Sequence, residues 1–390
     1  MVSLFLTIFL TSQIVQTGMD RLLESECAQL DGKRIAVLTN HTAIDGNGVH
    51  LIEHLLKSPN TQIVSILAPE HGFFGKLDQE HIPDSQHAGS GLKIFSLYGE
   101  TRKPTPQMLE GVDLLLFDIQ DIGVRFYTYA TTLLYAMEVC DTLGLEVLVL
   151  DRPNPLGGVR VTGPMLDTDK YSMTGSFPMP VVHGMTMGEM ALMFRGERFT
   201  KLKLRVIECR KWNRTLSFEK TGLLWINPSP NMRNLRQAQL YAAIGLLEFT
   251  NVSVGRGTDT PFEVFGAPWI EPCNFVTALK QKSIQGVAFV PTFFTPTSGP
   301  YAHERCGGMQ ILLEDPETLD PIDFSYKLYR LLKERYPENY KSERYIRLLA
   351  NQQALDLLNR PSEPLVKVRS SEQSDLESFM KTRGKYLIYE

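Results

Sequence analysis

Four short apolar runs set the pattern of the first 150 residues. Residues 34–38 (RIAVL), 62–67 (QIVSIL), 113–117 (DLLLF) and 146–150 (EVLVL) are dominated by consecutive apolar positions rather than by alternation. Such runs predict central strands of a parallel sheet, covered on both faces. Between them, residues 48–57 place Leu51, Ile52, Leu55 and Leu56 on one helical face, and residues 127–143 do the same with Leu133, Leu134, Met137 and Cys140. Strand–helix alternation of this kind predicts a doubly wound α/β domain.

Every one of the four predicted strands ends in a polar cluster. The first runs into Thr39-Asn40-His41-Thr42 and the second into Ala68-Pro69-Glu70-His71-Gly72. The third meets Asp118-Ile119-Gln120-Asp121, and the fourth Asp151-Arg152-Pro153-Asn154-Pro155. Open parallel sheets bind ligands beyond the carboxyl ends of their strands. The expected site is therefore located before any residue has a role.

Farther along, residues 187–199 predict a helix, with Thr186 and Glu189 in a capping-box arrangement. Residues 227–231 (NPSPN) predict a loop. After Arg256 the pattern shifts to mixed strands (286–293, 309–313) and long helices (323–335, 346–358), which predicts a second, smaller α/β domain. The expected organisation is a first domain over 20–255 and a second over 256–390, preceded by a leader over residues 1–19. Residues 2–10 resemble the apolar core of a secretory signal, although no basic residue precedes them. They are too few to span a bilayer. The expectation is an extracytoplasmic protein with no stable membrane insertion.

Composition narrows the function classes. A chain of 390 residues with 43% hydrophobic content has the apolar share of a folded protein. Forty basic residues against forty-four acidic ones, with no basic block, argue against nucleic acid as a partner. Five cysteines without a CxxC pair argue against a disulfide framework or a structural zinc site. No GxGxxG follows the first strand and no GxxxxGK[ST] occurs, so the core is not evidently built for dinucleotides or nucleoside triphosphates. Residues 50–54 read H-x-x-E-H, a zinc-ligand spacing. They fall in the first crossover helix, which runs away from the strand ends, so a solvated helix face is expected there and no metal.

Glu70 follows a buried strand, between Pro69, which lacks a backbone donor, and the turn-permitting Gly72. A carboxyl beside apolar walls has a raised pKa and suits a general acid; a loop-stabilising role fits the position equally. Asp118, Gln120 and Asp121, followed by Arg125, Tyr127 and Tyr129, suit a polyhydroxylated, amidated, anionic ligand. An ion pair between Asp121 and Arg125 is the alternative. Asp151, Arg152 and Asn154 form a third cluster, which also reads as a self-bonded turn. His183 precedes Gly184 after an extended stretch, a setting more often structural than catalytic. Ser229 and Ser253 lack the G-x-S-x-G context of a serine hydrolase. Arg256, between Gly255 and Gly257, reads as an anion clamp or a plain surface turn.

Together these clusters resemble a known family. Thr39-Asn40-His41-Thr42, Pro69-Glu70-His71-Gly72, Ser96-Leu97-Tyr98-Gly99 and Thr101-Arg102-Lys103-Pro104-Thr105 are similar to its early motifs. The most specific stretch is Phe117-Asp118-Ile119-Gln120-Asp121 with Gly123-Val124-Arg125-Phe126-Tyr127-Thr128-Tyr129. Asp151-Arg152-Pro153-Asn154-Pro155, His183-Gly184, Pro228-Ser229-Pro230-Asn231-Met232 and Gly255-Arg256-Gly257-Thr258 complete the series. The family is the exo-β-N-acetylmuramidases of peptidoglycan recycling, and the resemblance runs from about Leu22 to the C-terminus.

The resemblance implies a Rossmann-like sheet, a smaller C-terminal domain, a cleft between them and no organic cofactor. It implies release of N-acetylmuramic acid from non-reducing ends of peptidoglycan-derived disaccharides or glycan chains. It associates Glu70 with catalysis; for a glycosidase, Asp118 or Asp121 is then expected as the second carboxylate, or as the group that orients water or the acetamido group. Asn40, His71, Gln120, Arg125, Tyr127, Asp151, Arg152, Asn154, His183, Asn231 and Arg256 are expected around the substrate. Two positions depart from the family pattern: Thr162 and Val254 stand where Glu is expected. The alternatives are a metal-dependent hydrolase using Asp118, Asp121 and His71, or else His50 and His54, and a receptor that captures muropeptides without cleaving them.

Overall fold

The computed structural model describes residues 15–390; residues 1–14, which hold the apolar run of the expected leader, lie outside the described residues. Residues 15–19, assigned above to the same leader, are packed into the fold. Val15 and Met19 are buried, and the helix Gly18–Glu24 starts at a capping box between Thr17 and Asp20.

The first sheet contains β1 (Arg34–Thr39), β2 (Gln62–Ala68), β3 (Ser85–Gln86), β4 (Lys93–Ser96), β5 (Leu114–Asp118), β6 (Glu146–Leu150) and β7 (Lys203–Ile207). Its order is β3-β4-β2-β1-β5-β6-β7, parallel except for the short β3. The four predicted strands are present within a residue of their expected ends. They are the central strands, and hydrophobic cores cover both faces of the sheet. β7 was not expected: it lies at the sheet edge and alternates Lys and Arg with apolar residues. The strand order reverses around β1, whose carboxyl end lies beside that of β5, with Thr39 paired to Asp118.

Helix Tyr129–Leu143 stops at Gly144 in the left-handed conformation, and helix Met187–Glu197 carries the expected Thr186/Glu189 capping box. The helix expected over 48–57 is shorter, Leu51–Leu55, because the His50 side chain caps it by accepting the Ile52 N–H.

The second sheet is antiparallel, ordered β8 (Val264–Ala267), β10 (Cys306–Leu313), β9 (Val287–Phe294). Helices Pro272–Lys280 and Pro321–Arg335 pack with it. The helix expected over 346–358 is two helices, Ile346–Leu349 and Gln352–Leu358. Ala350 breaks the run at φ 50°, and Asn351 caps the second helix through the Ala354 N–H.

The last helix, Leu365–Gly384, carries the chain back to the first sheet. Arg369 donates to Thr162 Oγ1 (2.7 Å), Arg383 to the carbonyls of Gly158 and Gly184, and the Tyr389 hydroxyl to Asp151 Oδ2 (2.6 Å). One hydrophobic core contains Phe117 of the first sheet, Phe126, Tyr241, and Phe265 of the second sheet, so the two sheets are parts of a joined body. Among the described residues no helix is long and apolar enough to cross a membrane.

Candidate active site

β2 ends at Ala68, and Pro69 cannot extend the ladder. His71 (φ 70°) and Gly72 (φ 72°) then take left-handed conformations in succession and reverse the chain. On this turn Glu70 and His71 line a cavity of about 320 Å³ to which both halves of the chain contribute. The turn is clamped from behind. A Cβ on Gly75 would lie 1.8 Å from the His41 ring, and the His41 Nε2–H donates to the Asn227 carbonyl (2.6 Å). Burial holds the His41 imidazole below its ordinary pKa, so it stays neutral.

Thr128, just before helix Tyr129–Leu143, donates its hydroxyl to Glu70 Oε2 (2.6 Å). Tyr98 lies beside Glu70, and burial, followed by the Glu70 charge, pushes its phenol well up. Tyr98 is thus a neutral donor. Tyr127 also lines the cavity, buried, with no strict hydrogen-bond partner for its hydroxyl. Its ring meets Tyr129 edge-on at 4.9 Å, while Tyr241 packs against Phe126 at 5.0 Å and Phe262 at 4.7 Å. An aromatic wall beside a carboxyl group suits a sugar ring, which presents C–H bonds on its faces and hydroxyls at its edges.

Arg256 enters the same cavity from the second half. Its Nη2 donates to both oxygens of Asp78 (2.7 and 2.8 Å), and its Nη1 to Glu248 Oε1 (3.1 Å). Asn231 donates to Asp78 as well (2.9 Å). Burial alone would raise the Asp78 carboxyl, but Arg256 outweighs it and holds the group below its ordinary value. At Glu248 burial wins over the same arginine, and the carboxyl is raised. A second cavity of about 280 Å³ shares Asp78, Glu248 and Arg256.

Of the sequence candidates, the fold gathers Glu70, His71, Tyr127, Asn231 and Arg256 in one cavity. The others lie elsewhere. Asp118 is fully buried, and Arg152 spans both its oxygens through Nε and Nη2. Asn40 is spent on Thr42 and Tyr129. Gln120 donates to the carbonyls of Asp121 and Pro153, and Asn154 to that of Met185. Asp151 is enclosed by Thr186, Gly188 and Tyr389, and burial raises it to about 6. His183 is fully buried, and burial first, then Arg383 and Arg125, lowers it to about 3. Asp121 accepts the Gly123 N–H (2.7 Å), has no partner for Oδ1, and is raised by burial to about 7.

Arg125 needs a correction. The expected clamp for a ligand carboxylate, or partner for Asp121, is 1% exposed and donates to four backbone carbonyls: Pro164 (2.9 Å), Met179 (3.0 Å), Leu348 (2.7 Å) and Leu349 (2.8 Å). Its guanidinium rivets the two halves together. The H-x-x-E-H run does not form a ligand pair either: His50 caps its helix and meets the Asn40 carbonyl, while His54 pairs with Asp45. Among the described residues no group of three His, Cys, Asp or Glu converges as a metal shell.

Tyr98, Thr128, Asp78, Tyr241 and Glu248 were not among the sequence candidates. Glu248 carried a usable signal, as a lone acid ending the apolar run from Leu240 to Leu247; Asp78 lies in an ordinary polar stretch and carried none.

Comparison with known proteins bears on the whole chain. Two family models match, the N-terminal part of exo-beta-N-acetylmuramidase NamZ over residues 35–236 and its C-terminal part over 239–389. The peptidoglycan beta-N-acetylmuramidase NamZ of Bacillus subtilis (strain 168) is 37% identical over 378 residues, covering 96% of this chain and 91% of that protein. Two crystal structures of DUF1343 family proteins from Bacteroides fragilis NCTC 9343 are similar, each at 31% identity. One has a TM-score of 0.89 and covers 97% of this chain and 100% of its own. The other has a TM-score of 0.79 and covers 96% and 99%.

Proposed function

The chain belongs to the exo-β-N-acetylmuramidase family, and from that membership we propose that it releases N-acetylmuramic acid from the non-reducing ends of peptidoglycan fragments, with Glu70 as the general acid. It is a glycosidase. The observation that carries the assignment of Glu70 is its place in a cavity walled by Tyr98, Phe126, Tyr127 and Tyr241, with Thr128 bonded to one of its oxygens. A carboxyl lining such a cavity stands where a general acid meets the leaving oxygen of a glycoside.

Arg256 is the cation we assign to the lactyl carboxylate that distinguishes N-acetylmuramic acid from N-acetylglucosamine. A guanidinium is a strong partner for a carboxylate, and Arg256 already holds one, with Nη2 reaching both oxygens of Asp78. The reading includes an extracytoplasmic location, on the strength of the signal-like apolar run of residues 2–10.

The test uses the disaccharide of N-acetylmuramic acid β-linked to N-acetylglucosamine. Glu70→Gln is expected to lower kcat roughly 10²–10⁴-fold, the usual contribution of a general acid, with an unchanged melting temperature. Near-normal turnover of this variant would refute the assignment. A wild-type protein that binds the disaccharide without cleaving it would leave only a capture role.

A further inference from the structure

We infer that Glu248 is the second carboxylate of the reaction, the group that takes the proton of the attacking water. The inference rests on the reading of Glu70 as the acid. Most glycosidases work with two carboxyl groups across the scissile bond, and the strand-end candidates do not supply the second one. Asp118 is locked to Arg152, and Asp121 does not line the cavity. Of the acids that do, Asp78 is spent on Arg256 and Glu80 is exposed. Glu248 is the remaining buried carboxyl beside Glu70, with its side chain 13% exposed.

The local fold prepares this side chain. Helix Leu235–Ile244 runs on into the tight turn Gly245–Leu247, and Glu248 follows directly. A Cβ on Gly245 would sit 2.7 Å from the Tyr241 ring and 3.0 Å from that of Phe126, so only glycine lets Tyr241 fold against the turn. From there the Tyr241 hydroxyl donates to Glu248 Oε2 (2.9 Å), while Arg256 Nη1 donates to Oε1 (3.1 Å). Each oxygen keeps a free lone pair. Burial strengthens the carboxylate as a proton acceptor, and the two donors keep it oriented.

Arg256 also links recognition to chemistry. Asp78 occupies Nη2 and Glu248 occupies Nη1. A substrate carboxylate that displaces Asp78 leaves the contact with Glu248 in place. In the reaction the bond from C1 to the leaving oxygen breaks and that oxygen takes the proton of Glu70. A water oxygen bonds to C1 and its proton passes to Glu248. Exchange with solvent then returns both carboxyls to their starting states.

The experiment compares two substrates, the natural disaccharide and a 4-nitrophenyl N-acetylmuramide, whose leaving group needs no protonation. Glu248→Gln is expected to lose at least about 100-fold in kcat on both. Glu70→Gln is expected to lose activity on the disaccharide and largely keep it on the nitrophenyl substrate. If Glu248→Gln stays within a few-fold of wild type on either substrate, the inference is overturned. If Glu70→Gln shows no leaving-group contrast while Glu248→Gln is inactive, the general-acid reading fails and Glu248 stands. Tyr241→Phe keeps the carboxylate and removes one donor to its anion, so the acidic limb of kcat/KM against pH is expected to move upward. That readout serves even if Glu248→Gln folds poorly, and an unmoved limb overturns the inference.

Discussion

Replacing Arg125 with methionine separates a structural rivet from a ligand clamp. Methionine matches much of the length of the side chain but donates nothing to the carbonyls of Pro164, Met179, Leu348 and Leu349. The guanidinium is fully enclosed; burial lowers its pKa to about 10, which still leaves it charged at neutral pH. Removing one partner of a buried charged contact costs about 3–5 kcal/mol, and the four bonds share one cation and count once. At about 2–4 °C per kcal/mol for domains of 150–250 residues, the melting temperature should fall by about 6–20 °C. Differential scanning calorimetry measures the fall. The ratio of kcat/KM for N-acetylmuramide over N-acetylglucosaminide, taken below the transition, should equal that of the wild type. A variant that melts normally but loses its preference for the muramide would refute the reasoning, because the guanidinium would then be reading substrate.

Two further outcomes follow from the same geometry. Asp78→Asn removes the carboxylate that competes for Arg256, and a half-exposed pair worth about 0.2–1 kcal/mol implies a KM for the muramide lower by up to about fivefold; a raised KM would mean that Asp78 builds the site rather than guarding it. Burial raises Asp121 from the ordinary 3.8 to about 7, so the folded state holds a proton that the unfolded chain releases. Its stabilising contribution is therefore complete below pH 4 and lost as pH rises through 7. Asp121→Asn should flatten the decline in urea midpoint between pH 4 and 8, and an unaltered decline would assign it to other groups.

The central strands were legible because a strand buried on both faces has little choice but to be apolar throughout. The edge strand β7 was not, since its side chains face water on alternate positions and read like a loop. The strand-end clusters were located correctly, yet only the Glu70 turn opens into the cavity. Residues that suit an anionic sugar also suit one another. Asp118 and Arg152, or Asn40 and Tyr129, satisfy each other's hydrogen bonds across gaps that spacing along the chain does not reveal. Arg125 looked like a clamp because Gly123 precedes it, but Gly123 serves the close approach of Asn154, whose Oδ1 would lie 2.2 Å from an added Cβ. Glu248 and Tyr241 come from a helix end in a stretch without a catalytic signature, and only the folding of the second half against the first brings them to the cavity of Glu70.

The return of the C-terminal helix to the first sheet limits how such a gene can be shuffled. The two family models meet near residue 237, which invites treating the halves as exchangeable cassettes. Each half, however, completes the buried polar groups of the other: Tyr389 closes over Asp151, Arg383 caps the carbonyls of Gly158 and Gly184, and Arg125 reaches across to Leu348 and Leu349. A chimera of two relatives joined at that seam inherits one donor set and another acceptor set, and each buried mismatch costs about 1–3 kcal/mol. Recombination at the seam succeeds only when both sides of these contacts travel together, which makes the chain a single heritable unit despite its two sheets.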